Sequence, residues 1–170
     1  MDIKPIETKY KGYRFRSRLE ARWAVFFDGI GLDWKYEIQG FIFDGRKYLP
    51  DFCVNDKEHN KLWVEIKPDY PSEDIVAKLE IFCKRKNESL IIFSSDPYDY
   101  FVNCNKQAIL INDKSTIISP LNILTILLKK VKDEYNFNDF LILENCIKKF
   151  YNSSIIAREK HFEWEESEQN

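Results

Sequence analysis

The sequence predicts an α/β (α+β) protein in which helices flank a mixed central β-sheet and an extra helical part follows at the C-terminus. Three observations predict it. Leu49–Val54 and Leu62–Lys67 are short runs of β-branched, aromatic and aliphatic residues bounded by Asn55-Asp56, Asn60 and Pro68, as expected of neighbouring strands of one hairpin. A helical pattern over 72–86 and the continuous apolar run Ser89–Ser94 follow, and strand, helix, strand implies a right-handed crossover joining parallel strands. Beyond Pro120 the apolar residues recur mainly at helical spacing.

In chain order, residues 1–12 read as a polar lead-in. Ser17 suits an N-cap with Glu20 three residues later, the pattern of a capping box. The helix it opens, from Arg18 to about Ile30, carries Leu19, Trp23, Phe26, Phe27 and Ile30 on one apolar stripe, with Gly29 and Gly31 marking its end. Trp34–Ile38 and Phe41–Phe43 read as strands, and Asp44-Gly45 is a hairpin turn signal that sends the chain on to Asp51. Pro50 suggests an edge strand or an irregular strand start. His59, in the polar loop 55–61, reads as a solvated side chain. After Pro68, Ser72 with Glu73 and Asp74 opens a helix to about Lys86 whose buried face is Ile75, Val76, Leu79, Phe82 and Cys83. Ala108–Ile111 and Thr116–Ile118 flank Asn112–Ser115 as a second hairpin. Helices are expected from Leu121 to about Tyr135, with Leu121, Leu124, Leu127, Leu128 and Val131 packed into the core or against the next helix, the alternative being a partner interface, then from Asp139 to about Tyr151, and again from Ile155 to Trp164.

At 170 residues this is a single domain, with a core over about 13–96, a C-terminal elaboration over 97–164 and an acidic tail over 165–170. Hydrophobic residues at 44% and charged ones at 32% exclude wholesale disorder. The net charge of −2 hides an uneven distribution: without Glu163, Glu165, Glu166 and Glu168 it becomes +2, and from Lys9 to Arg22 six cations face the single acid Glu20. A local basic patch of this kind matters more for nucleic-acid binding than the total. Cys53, Cys83, Cys104 and Cys146 lack close pairs, which argues against zinc or a disulfide framework and for reduced thiols in a cytoplasmic protein. No apolar h-region or membrane-length apolar run is present, so no membrane partner is expected.

The chemistry centres on Asp51 and Glu65. Alternation along a strand puts Val64 and Ile66 on one face and Trp63, Glu65 and Lys67 on the other. If the hairpin pairs antiparallel, the Asp51 carboxylate approaches Glu65. Like charges about 4 Å apart repel by roughly 4 kcal/mol at an effective dielectric near 20, so such a pair needs a shared proton or a cation. Mg²⁺ suits best, with Mn²⁺ able to substitute, because it takes oxygen ligands, keeps waters and is commonly held by one or two carboxylates plus substrate phosphate. Lys67 would stand beside the activated water of a phosphodiester hydrolysis. The bland alternative is a strand-end cap with a Glu65–Lys67 surface pair worth under about 1 kcal/mol.

Pro50-Asp51 followed by Glu65-Ile66-Lys67 resembles the signature of the PD-(D/E)XK nuclease superfamily. The segments Phe15–Ala24, Tyr48–Phe52 and Ala157-Arg158 with His161-Phe162-Glu163 are similar to a bacteriophage and mobile-element branch of it. The resemblance implies a restriction-endonuclease-like core and a metal held by Asp51, Glu65 and the Ile66 backbone carbonyl. Glu20 would join directly or through water, or serve only as a helix cap. Lys67 would position or deprotonate water, or hold phosphate. Arg16, Arg18, Arg22 and Lys78 would contact backbone phosphates, against the alternative of a solvated helix face. The implied activity is metal-dependent DNA cleavage, most simply by an endonuclease, with RNA left open. Two alternatives stand: a nuclease-fold module that binds DNA or a protein with little turnover, and a junction-resolvase-like or recombination subunit working as a homodimer or within a larger complex.

Overall fold

The computed structural model describes residues 6–43, 45–55, 61–130 and 140–162. Its centre is a six-stranded mixed sheet. Strand β6 (Phe52–Asn55) pairs antiparallel with β7 (Lys61–Ile66), and β3 (Trp34–Tyr36) lies antiparallel on the far side of β6. Helix α2 (Glu73–Lys86) then carries the chain to β8 (Ser89–Phe93), parallel to β7; β9 (Ala108–Ile111) and β10 (Ser115–Ile118) complete the sheet as an antiparallel hairpin. The mixed α/β architecture expected from the sequence is therefore the one observed, and it is consistent with a restriction-endonuclease-like core.

Alternation along the strands decides which side chains meet which layer. Phe52, Val54, Val64, Ile66, Ile91 and Phe93 pack with α1 (Arg18–Ile30), α4 (Pro120–Lys130) and α5 (Phe140–Glu159). Cys53, Trp63, Leu90, Ile92, Ile109 and Ile111 face α2 and a two-stranded ribbon of β4 (Phe41–Phe43) and β5 (Arg46–Tyr48). Each sheet face thus buries a period-two set of residues, as a sheet covered on both sides must. Trp23 stacks on Phe93 with centroids 4.0 Å apart and donates its indole N–H to the Ser95 carbonyl at 2.9 Å, which fixes α1 over the ends of the central strands.

Several expectations are corrected. Residues 8–15 form a hairpin of β1 (Thr8–Tyr10) and β2 (Tyr13–Phe15), because Lys11 and Gly12 both take positive φ in the tight turn. Of the two readings of Pro50, the edge strand fails, because β3 covers β6, and the irregular strand start holds, because Pro50 lies ahead of the ladder. Ile75 and Leu121 are 37% and 63% exposed rather than packed inward. A short helix α3 (Pro97–Phe101), capped by Asp96, was not foreseen. The last two expected helices are one, since α5 runs through Asn152-Ser153-Ser154 with both serines buried and the Ser154 hydroxyl bonded to the Phe150 carbonyl at 2.7 Å. Gly31 closes α1 in the left-handed conformation, whereas Gly29 is inside the helix, where a Cβ would lie 2.5 Å from Ser153 Oγ. His59, Asp44, Val131 and the ends of the helices expected near 131–139 and 163–164 lie outside the described residues.

Candidate active site

The ladder between β6 and β7 aligns Phe52 with Val64, so its continuation sets Asp51 across from Glu65 on the same face. Both carboxylates are buried, with Asp51 2% and Glu65 5% exposed. Asp51 Oδ2 accepts the Ile66 backbone N–H at 2.7 Å, and Asp51 Oδ1 accepts from the Arg16 guanidinium at 2.5 Å. Glu65 Oε1 takes the Lys67 ammonium at 2.5 Å, and its Oε2 accepts from the Tyr48 hydroxyl at 2.9 Å. The structure therefore brings Asp51, Glu65, the Ile66 peptide and Lys67 into one cluster at the end of β7.

Burial, then the nearby Glu65 charge, pushes the Asp51 carboxyl up to about 8, against the opposing pull of the Ile66 N–H and Arg16. The short Arg16 contact favours an ionised Asp51 and the burial a protonated one. Burial and Glu65 outweigh Arg16, which is more than half exposed and also serves Glu37 at 2.7 Å. Burial beside Glu65 likewise raises the Tyr48 phenol well above its usual range, so it stays a donor.

Glu20 sits at the start of α1, 7% exposed. It accepts from the Ser17 hydroxyl at 2.8 Å, from the Arg16 N–H at 3.2 Å and from the Tyr36 hydroxyl, while the Glu20 N–H donates to Ser17 Oγ at 3.2 Å. It thus reaches back to the residue before the N-cap. Arg16 links the two parts of the site, its backbone N–H on Glu20 and its side chain on Asp51. Among the other expected phosphate contacts, Arg18 is half-buried, Arg22 lies 3.3 Å from Asp96, and Lys78 stands exposed on α2.

Among the described residues no group of three or more His, Cys, Asp and Glu side chains is gathered closely enough to hold a metal ion. The donors fit a different arrangement: two buried carboxylates, with phosphate oxygens and waters left to complete the shell, is how Mg²⁺ is commonly held. Sequence reasoning missed Tyr48, Tyr36 and Glu37 as partners of Glu65, Glu20 and Arg16. Only Tyr48 carried a signal, as a potential donor close to Pro50-Asp51.

No family model and no curated protein matches the chain. Among solved structures it is similar to the cryo-EM structure of a DrdV–DNA complex, with a TM-score of 0.34 and 16% identity. The match covers 78% of this chain and 10% of that one, so this protein spans about a tenth of its length.

Proposed function

We propose that the chain is a Mg²⁺-dependent nuclease of the PD-(D/E)XK kind that its sequence resembles, hydrolysing phosphodiester bonds within DNA. The observation that carries this reading is the pair of buried carboxylates, Asp51 and Glu65, on one face at the end of β7 with the Lys67 ammonium beside them. A bound cation would activate water and stabilise the charge that develops on the phosphate. The chain's own groups do the rest. Tyr48 and Lys67 fix the two oxygens of Glu65, the Ile66 N–H orients Asp51, and Lys67 supplies a positive charge where a scissile phosphate would enter. Arg16, exposed on one side and bonded to Asp51 on the other, can turn toward a neighbouring phosphate.

The test is incubation of the purified protein with plasmid, linear, single-stranded and branched DNA, and with RNA, in Mg²⁺ or Mn²⁺. Cleavage that EDTA stops is expected; no cleavage of any substrate with either metal would sink the proposal. A second reading, a binding module with little turnover, is favoured by one observation: Arg16 and Lys67 already pair each carboxylate with a cation. It predicts DNA retention with no metal-dependent cutting.

A further inference from the structure

On the other flank of α1 a hollow of about 580 Å³ opens between the start of that helix and the C-terminal end of α5. Arg18 and Arg22 line it from α1, Arg158 from the last turn of α5 and Lys160 just past its end, and among the described residues Glu159 is the acid that lines it. Two of the arginines are held in place from behind. Arg22 Nη1 and Arg158 Nη1 lie 3.3 and 3.8 Å from Oδ2 of the buried Asp96, and the Arg158 guanidinium lies 4.5 Å from the centre of the Tyr98 ring. Asp99 Oδ1 lies 3.8 Å from the same Arg158 nitrogen, and among the described residues Arg22 Nε has no hydrogen-bond partner.

We infer that this hollow binds one nucleotide unit of a nucleic-acid strand, its phosphate on the Arg22, Arg158 and Lys160 cations and its base against Phe162 and His161 at the rim. Asp96 and Asp99 lie against Arg22 and Arg158 and Glu159 lines the hollow, yet the planar guanidinium forks of Arg22 and Arg158, with the exposed Lys160 ammonium, still match the oxygens of a phosphate. The volume far exceeds a bare phosphate and lies within the range of small-ligand sites. Cations combined with aromatic rings form the usual platform for single-stranded nucleic acid. The inference rests on the nuclease reading for its placement: Arg18 is two residues from Arg16, so their Cα atoms are at most about 7 Å apart. A strand with its scissile phosphate at Asp51 and Glu65 would then run past Arg16 and Arg18 to place a further nucleotide in the hollow.

The experiment measures anisotropy of a short fluorescent single strand, with or without a terminal phosphate, in EDTA and across a salt series. Inorganic phosphate and deoxyadenosine monophosphate serve as competitors. Arg158→Gln and Lys160→Gln are each expected to weaken binding about five- to tenfold and to lower the salt slope by about one. Lys160 is exposed, so its variant keeps the inference testable should Arg158→Gln fail to fold. Tighter binding of the phosphorylated strand, with competition by the mononucleotide, identifies a terminal phosphate as the source. Equal losses on both strands identify an internal phosphodiester. Unchanged affinity and slope in both variants overturn the inference. Because the binding assay contains no metal, it reads the hollow independently of cutting: a wild type that fails to cut plasmid in Mg²⁺ or Mn²⁺ while the variants lose affinity sinks the nuclease reading alone. Cutting by wild type with unaltered binding in both variants sinks the hollow alone.

Discussion

The Arg16 guanidinium meets Asp51 Oδ1 at 2.5 Å, joining the residue just before the α1 N-cap to the residue just before β6 across 35 positions of chain. The same side chain holds Glu37 through Nε at 2.7 Å. Arg16→Met should therefore lower stability by about 1–2 kcal/mol near pH 9, where Asp51 is ionised and loses its counter-charge, and by much less near pH 6. Urea denaturation at the two pH values checks this; equal losses would show that the pair is not electrostatically coupled.

Asp51 itself should make stability depend on pH. Its folded-state value of about 8 lies above the ordinary 3.8, so the native state keeps a proton that the unfolded chain gives up. The associated stability is full below about pH 4, falls as pH rises and is gone above about 8, with a slope of up to about 1.4 kcal/mol per pH unit. Melting of wild type and Asp51→Asn from acid to alkaline pH should show a decline in the former that the latter lacks.

Asp51→Asn, Glu65→Gln and Lys67→Ala should each reduce metal-dependent plasmid nicking by at least about 100-fold, the loss expected when a group that acts on the transition state is removed. Near-native circular dichroism should accompany the loss. If the three variants nick as well as wild type, the carboxylate cluster is structural.

Gly29→Ala should destabilise the fold by about 1–3 kcal/mol, because the added methyl would lie 2.5 Å from Ser153 Oγ and 2.8 Å from Ser153 Cβ where α1 meets α5. Ser153→Gly should restore part of that loss in the double variant, whereas the two costs would simply add if the contact were unimportant. Thermal melts of the two single variants and the double variant decide between these.

Much of this was written in local pattern. The Ser17 cap and apolar stripe gave α1 from Arg18 to Ile30, the alternation of 62–67 sorted Val64 and Ile66 from Trp63 and Glu65, and the apolar run 89–93 gave the central strand parallel to β7. Where the reading failed, a contact distant in sequence had overridden a local preference. Asn152-Ser153-Ser154 looks like a helix break, yet Ser153 buried against Gly29 and Ser154 bonded to the Phe150 carbonyl keep α5 continuous. Arg16 looks like a free basic side chain until Asp51 and Glu37 are folded against it.

The amino-acid sequence by itself determined which residues alternate or recur on one face, and hence that Asp51, Glu65 and Lys67 could share an end of one hairpin. Only the tertiary structure decided what surrounds them: Tyr48 arriving from the β4–β5 ribbon, Arg16 from the lead into α1, and Asp96 drawing Arg22 and Arg158 together. The reason is physical. Periodicity is set by the backbone geometry of a few neighbouring residues, whereas the partner of a buried charge is whichever donor the packed layers bring within hydrogen-bonding distance.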